Sequence, residues 1–294
     1  MSAAIEPFTL TGADGTAVAA WRARPAAPMK AIVQIAHGMA EHFGRYHRLT
    51  RRLTDAGYGV YGADHRGHGA TARAGTHGDF GPGGFQALVD DMAALTAAAR
   101  RETPGRPLIL LGHSMGSFAA QIYLLQHPAD LDGLVLSGTA ALDAMVEAMA
   151  GAPPGMESLN APFEPGRTPF DWLSRDTAEV DAYIADPLCG FAVTEASRSS
   201  MIALAMGARG DARLAAARRD LPILVISGQF DPVTGPAQAF AKSLIDGWRS
   251  AGLTHIDHRI YPGGRHEMFN ELNRVEVEAD LIAWLDAVVS NSGG

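Results

Sequence analysis

One pentad in the sequence has the spacing of an acyl-transfer nucleophile: Gly112-His-Ser114-Met-Gly116. By itself Gly-x-Ser-x-Gly is a weak signal, because a serine hydroxyl attacks poorly at neutral pH unless a base stands beside it. Here the pentad follows the apolar run 108–111 and opens a stretch of helical spacing, which places Ser114 on a sharp strand-to-helix turn. Such a turn holds the serine in a strained backbone conformation with its hydroxyl clear of the sheet, and flanking glycines remove side chains that would collide. A serine in that setting takes its acid and then its base from loops after later strands. Two loops qualify: Gly228-Gln-Phe-Asp231-Pro-Val233 after the run 221–227, and Pro262-Gly-Gly-Arg-His266 after the run 255–261. Asp231 and His266 are therefore the candidate acid and base. His255, Asp257 and His258 fall within the last run and Asp246 within a helical stretch, so their positions are wrong for the role.

The tetrahedral intermediate of acyl transfer carries an oxyanion that needs preorganised donors. The amide of Met115, directly after the serine, is one candidate. The loop His37-Gly-Met-Ala-Glu-His42 supplies the other in the amide of Met39, with Gly38 allowing the chain to turn. Histidines crowd this half of the chain (His37, His42, His47, His65, His68 and His77), which raises the question of a metal. Asp64-His65-Arg-Gly-His68 lacks the paired His-x-His of a hydrolase metal motif, and no helical His-Glu-x-x-His occurs. The expectation is no metal and no cofactor, with the imidazoles serving buried loop amides and carbonyls.

The elements that must carry these loops alternate in the manner of an α/β domain with a mostly parallel sheet. Apolar runs at 31–37, 58–63, 107–112, 131–137, 221–227 and 255–261 read as buried strands. Segments 46–56, 85–101, 115–127, 236–251 and 271–289 carry helical spacing. Residues 8–10 and 16–22, around Thr11-Gly12-Ala13-Asp14-Gly15, read as an antiparallel hairpin on the sheet edge. The tail 290–294 is small and polar and is expected to fray.

From 140 to 219 the alternation stops. The stretch has no clear strand, is rich in Ala, Met, Pro and Gly, and includes Pro153-Pro154. A structureless loop this long would be unusual. The reading is a helical cap over the carboxyl ends of the strands, inserted into a core of 1–139 and 220–294; two further crossover helices are the other possibility. Met145, Met149, Met156, Met201, Met206, Phe163, Phe170 and Trp172 there either line an adaptable acyl tunnel or pack the cap onto the core.

Net charge −8 with only two lysines, Lys30 and Lys242, speaks against a nucleic-acid partner, since phosphate binding needs clustered cations. No run approaches the length of a transmembrane helix and residues 1–11 have no signal-peptide pattern, so a cytoplasmic protein is expected, with transient membrane contact through the cap left open. The single cysteine, Cys189, excludes a disulfide framework and reads as a small buried apolar side chain. Oligomeric state is not legible.

Taken together, His37-Gly-Met-Ala-Glu-His-Phe-Gly-Arg-Tyr46, Ala63-Asp-His-Arg-Gly-His-Gly69, the pentad, the Asp231 loop and Tyr261-Pro-Gly-Gly-Arg-His-Glu267 resemble the monoglyceride lipase and lysophospholipase branch of the α/β hydrolases. Thr168-Pro-Phe-Asp-Trp-Leu-Ser-Arg-Asp176 and Asp186-Pro-Leu-Cys-Gly190 also look like bacterial members. The resemblance implies hydrolysis of single-acyl-chain esters, monoacylglycerols or lysophospholipids. It also implies catalytic roles for Ser114, Asp231 and His266 and oxyanion amides at Met39 and Met115. Ser117 and Ala70-Thr-Ala-Arg73 depart from the branch's usual residues without touching the triad. The alternatives are a short-chain carboxylesterase with a closed cap, a peptidase or carbon–carbon bond hydrolase, and a non-catalytic binding protein of the same fold.

Overall fold

A computed structural model of the chain describes residues 3–148 and 156–292. Met149 and Pro153-Pro154 of the cap stretch, and Gly293 and Gly294 of the tail, lie outside the described residues.

Eight strands form one sheet: β1 (Ile5–Thr11), β2 (Ala17–Ala23), β3 (Ile32–Ala36), β4 (Gly59–Ala63), β5 (Leu108–His113), β6 (Gly133–Ser137), β7 (Ile223–Gly228) and β8 (Ile256–Tyr261). Their spatial order is β1-β2-β4-β3-β5-β6-β7-β8. The β1–β2 hairpin joins β4 antiparallel, and every pairing from β4 through β3 to β8 is parallel. This is the α/β-hydrolase fold expected from the alternation. Strands buried on both faces read as continuous apolar runs. In β5, Leu108 and Leu110 join one core layer while Ile109 and Leu111 join the other.

Helices α2 (Gly84–Glu102), α3 (Met115–Gln126) and α7 (Ala239–Ser250) cover the first layer, and α1 (His47–Asp55) and α8 (Arg274–Ser292) the second. One polar residue interrupts β3. Gln34 is buried, donating to Met92 O at 2.9 Å and accepting from Thr96 Oγ1 at 2.8 Å, which satisfies a group that burial would otherwise penalise.

Beyond shifts of one or two residues, strand β1 starts at Ile5 rather than Phe8, and three helix ends differ from the sequence reading. Helix α7 starts at Ala239, because Ala237 and Gln238 have positive φ and the Gln238 amide turns inward to Gly228 O. Helix α8 starts at Arg274, because the carboxylate of Glu271, fully buried, is used outside the helix by the amides of Arg175, Arg265 and Leu272. The same helix runs on to Ser292 where a frayed tail was expected, with Ser290 Oγ bonded to Asp286 O.

Between β6 and β7 the described residues contain no strand. The segment carries α4 (Leu142–Ala148), α5 (Thr177–Ala185) and α6 (Glu195–Ala205), with short 3-10 turns. Helix α6 packs on α2 and α3, its Ser197 and Ser200 hydroxyls accepting from the amides of Phe80 and Phe85. Among the described residues no helix is long and apolar enough to cross a membrane.

Candidate active site

The carboxyl ends of the parallel strands, where α/β sheets place their ligands, carry Met39, Ser114, Met115, Asp231 and His266. Ser114 sits between β5 and α3 at φ 51° and ψ −121°, a conformation uncommon for a residue with a Cβ. Close packing of the turn sustains it: a Cβ on Gly116 would lie 2.2 Å from Ala36 O, and one on Gly112 2.4 Å from Gly116 O. The Ser117 hydroxyl donates to Ser114 O at 2.6 Å and accepts from the Thr139 hydroxyl at 2.9 Å, so this departure from the family pattern braces the turn from within.

Asp231 follows β7 and His266 follows β8. The imidazole Nδ1–H donates to Asp231 Oδ1 at 2.9 Å, with both side chains buried. The ring lies between those of His113 and Trp172, at centroid distances of 4.7 and 4.9 Å. Burial by itself would lower the His266 pKa; the carboxylate of Asp231, and after it Glu267, outweighs burial and raises it. His266 Nε2 has no hydrogen-bond partner among the described residues. Ser114 and His266 thus share a cavity wall without a hydrogen bond between them, a contact that commonly tightens only when substrate is bound.

The amides just before those of Met39 and Met115 are occupied: Gly38 N–H donates to Glu41 Oε1 at 2.5 Å and Ser114 N–H to Ser137 O at 2.9 Å. Among the described residues those of Met39 and Met115 donate to nothing in the chain. The peptide unit that carries the Met39 N–H is held at its other end, where His37 Nδ1–H donates to Gly38 O at 2.8 Å. His37 Nε2 in turn accepts from the amide of His65, and His68 Nδ1–H donates to Arg66 O. These imidazoles do the loop work expected of them. Burial pushes the pKa of His37 and of His68 down to about 3, so both stay neutral.

Sequence reasoning missed a buried ionic cluster at the same place. Arg45 donates to Glu41 Oε2 at 2.8 Å and to both oxygens of Glu267 at 2.5 and 2.7 Å, while Tyr46 OH donates to Glu41 Oε1. Burial works to raise both carboxyls, yet Arg45 holds them below the ordinary range. The i,i+4 spacing of Glu41 and Arg45 was the available signal; Glu267 lies 222 residues away from Arg45.

His42, Asp186 and Cys189 come close enough to suggest a cation site. The imidazole argues otherwise: Nδ1 accepts from Gly44 N–H, leaving the proton on Nε2, where it bonds Asp186 Oδ2 at 2.9 Å. Cys189 is half-buried rather than buried, and burial raises its thiol pKa, so it stays protonated.

A cavity of about 550 Å³ joins these groups. Ser114, His266, Met39 and Met115 line it, with Phe118, Leu142, Met145, Phe170, Trp172 and Met201 along its apolar walls. Of the other suggested tunnel residues, Phe163 packs under Arg265 and Met206 is exposed; the side chain of Met156 is outside the description.

Residues 27–273 match the family described as serine aminopeptidase, S33. The chain belongs to this family. It is 33% identical over 271 residues to a monoacylglycerol lipase of Mycolicibacterium smegmatis, covering 87% of this chain and 88% of the relative. A mouse (Mus musculus) monoglyceride lipase is 28% identical, with 97% and 91% covered. Among solved structures, a thermostable carboxyl esterase from Bacillus coagulans in complex with glycerol superposes with a TM-score of 0.85 at 28% identity, covering 97% of this chain and 99% of that one. Within the family the chain is a carboxylic ester hydrolase of the monoacylglycerol-lipase-like kind, as the motif resemblance implied.

Proposed function

We propose that this hydrolase cleaves single-acyl-chain esters, monoacylglycerols ahead of lysophospholipids, with Ser114 as nucleophile, His266 as base and Asp231 as its orienting acid. The observation that carries the reading is the single cavity in which Ser114, His266 and two undonated amides meet walls of apolar side chains.

His266 Nε2 takes the Ser114 proton as Oγ attacks the ester carbonyl. The Met39 and Met115 amides receive the oxyanion, and the imidazolium protonates the departing alcohol. Water, deprotonated by the same nitrogen, then attacks the acyl-enzyme; the acid leaves and Ser114 regains its proton. Asp231 fixes the tautomer that leaves Nε2 free to accept.

The choice of alcohol follows from charge. The charged side chains on the cavity wall are Glu41, Glu267 and Arg198. The two carboxylates are held by Arg45, and Arg198 is paired with Glu195. Among the described residues that leaves no lone cation on the wall for a phosphate, whereas a neutral glycerol loses nothing there. The same reading makes 140–219 a cap over the site, since Leu142, Met145, Phe170, Trp172 and Met201 come from it.

A fluorophosphonate probe should label Ser114 in the parent and not in Ser114→Ala, and the labelled enzyme should lose ester turnover. A panel of monoacylglycerols, lysophospholipids and short p-nitrophenyl esters then ranks substrates. A preference for acetyl esters, or for lysophospholipids, would overturn the substrate assignment.

A further inference from the structure

Ala40, one residue past the candidate oxyanion amide of Met39, has φ +54° although it carries a Cβ, and it is fully buried. Left to itself an alanine leaves the left-handed region for the ordinary helical or extended ones. Something must hold it, and the local chain accounts for only part of the holding: the His37 ring grips Gly38 O and Glu41 grips Gly38 N–H, both on the far side of Met39. On the near side the carbonyl of Ala40 accepts two hydrogen bonds, from Tyr183 OH at 3.0 Å and from Gly190 N–H at 2.9 Å. Both donors belong to the stretch between β6 and β7.

The Tyr183 hydroxyl is aimed rather than loose. Its ring lies under the Arg45 guanidinium, 4.9 Å from centroid to Cζ, and 5.1 Å from the Phe170 ring. A second tie, His42 Nε2–H to Asp186 Oδ2, runs parallel to it between the same two stretches.

We infer that Tyr183 and Gly190 are positioning residues, holding the strained Ala40 peptide so that the Met39 amide faces the oxyanion. The inference rests on the reading above that Met39 supplies that donor. It makes the stretch 183–190 part of the catalytic geometry as well as a wall of the cavity. If those residues let go, Ala40 relaxes to negative φ, and the turn carrying Met39 re-forms in another orientation.

Tyr183→Phe removes the hydroxyl and keeps the ring that packs on Arg45 and lines the cavity. On a medium-chain p-nitrophenyl ester, kcat should fall about tenfold and KM stay within about twofold, since a donor serving the transition state is lost. Affinity for a trifluoromethyl ketone, which forms an oxyanion-like hemiketal, should fall by the same factor. Gly190→Ala, placing a Cβ at φ +72°, should lower kcat in the same direction and gives a second arm should the tyrosine variant not fold. The decisive comparison is in an Ala40→Gly background. Glycine holds positive φ without help, so there the Tyr183→Phe penalty should shrink to about threefold or less.

An unchanged kcat in an active Tyr183→Phe enzyme, a loss confined to KM, or an equal penalty with Gly at 40 overturns this inference alone. A parent that neither labels at Ser114 nor turns over ester overturns the catalytic reading and this one with it.

Discussion

The guanidinium of Arg45 meets both carboxylate oxygens of Glu267, and through that fork the loop after β3 is tied to the residue that follows His266. The side chains of Arg45, Glu41 and Glu267 are 9%, 4% and 6% exposed, so three charges share a space with little water. Removing the cation leaves two buried acids without a counter-charge. Arg45→Met is expected to destabilise the fold by about 3–5 kcal/mol at neutral pH, because breaking a buried pair costs far more than replacing it whole. Urea denaturation measures this, and the loss should shrink in acid as the freed carboxyls take up protons. A stability within about 1 kcal/mol of the parent would contradict the cluster's role.

Activity should follow the protonation of His266. The nearby carboxylates outweigh burial and hold its pKa above the ordinary imidazole range, and only the neutral ring accepts the Ser114 proton. The acidic limb of kcat/KM is therefore expected above about pH 6.5. Asp231→Asn takes away the chief raising charge, so the limb should move toward acid while kcat drops by about 10⁴-fold. A limb that stays put in that variant would mean another group controls it.

Stability has a separate pH signature. Burial lowers the pKa of His37 and His68 to about 3 and that of His113 to about 4. Over the range from those values up to about 6.5 the unfolded chain binds more protons than the native one, so stability rises with pH there. In the window from about pH 5 to 6.5 the histidines are the main titrating groups of the unfolded chain, because its carboxyls titrate lower; the carboxyls of Asp64, Asp91 and Glu278, raised by burial, act against them. His266, with its raised pKa, acts in the opposite sense: its contribution is present below about 6.5 and is lost as pH climbs through the folded value. Burial lowers His47, His65 and His258 too, so the lowered rings outnumber His266, and urea midpoints should fall from pH 6.5 to 5. Flat midpoints across that window would show that these rings are hydrated and charged.

Cavity length should set acyl preference. Met201 of α6 faces the cavity and is buried, so Met201→Trp would fill space an acyl chain needs. Turnover of long-chain esters is expected to fall about tenfold or more relative to acetyl esters, as each displaced methylene forfeits burial. Equal effects on both chain lengths would place the acyl group elsewhere.

The core of this molecule was readable because parallel strands buried on both faces leave an unmistakable apolar run. The loops after β5, β7 and β8 then inherit their places from strand order alone. Ser114, Asp231 and His266 were therefore reachable without coordinates. Glu41 and Glu267 were not, because what makes them matter is a shared Arg45 that only folding brings between them. Gln238 and Glu271 show the same limit at helix starts: each sits in good helical sequence, and each is drawn out of the helix by a backbone partner in a neighbouring loop. Tyr183 was not legible either, because nothing in its sequence neighbours points to Ala40, 143 positions away.

The lone cysteine gives the chain a reporter that requires no engineering. Cys189 lies in the stretch 183–190, next to the glycine that donates to Ala40, whereas both lysines, Lys30 and Lys242, lie outside residues 140–219. Thiol chemistry therefore addresses this stretch, while lysine chemistry addresses the chain just before β3 and helix α7. With its thiol half-buried and kept protonated, the rate at which a maleimide reaches Cys189 reports how accessible that stretch is in solution.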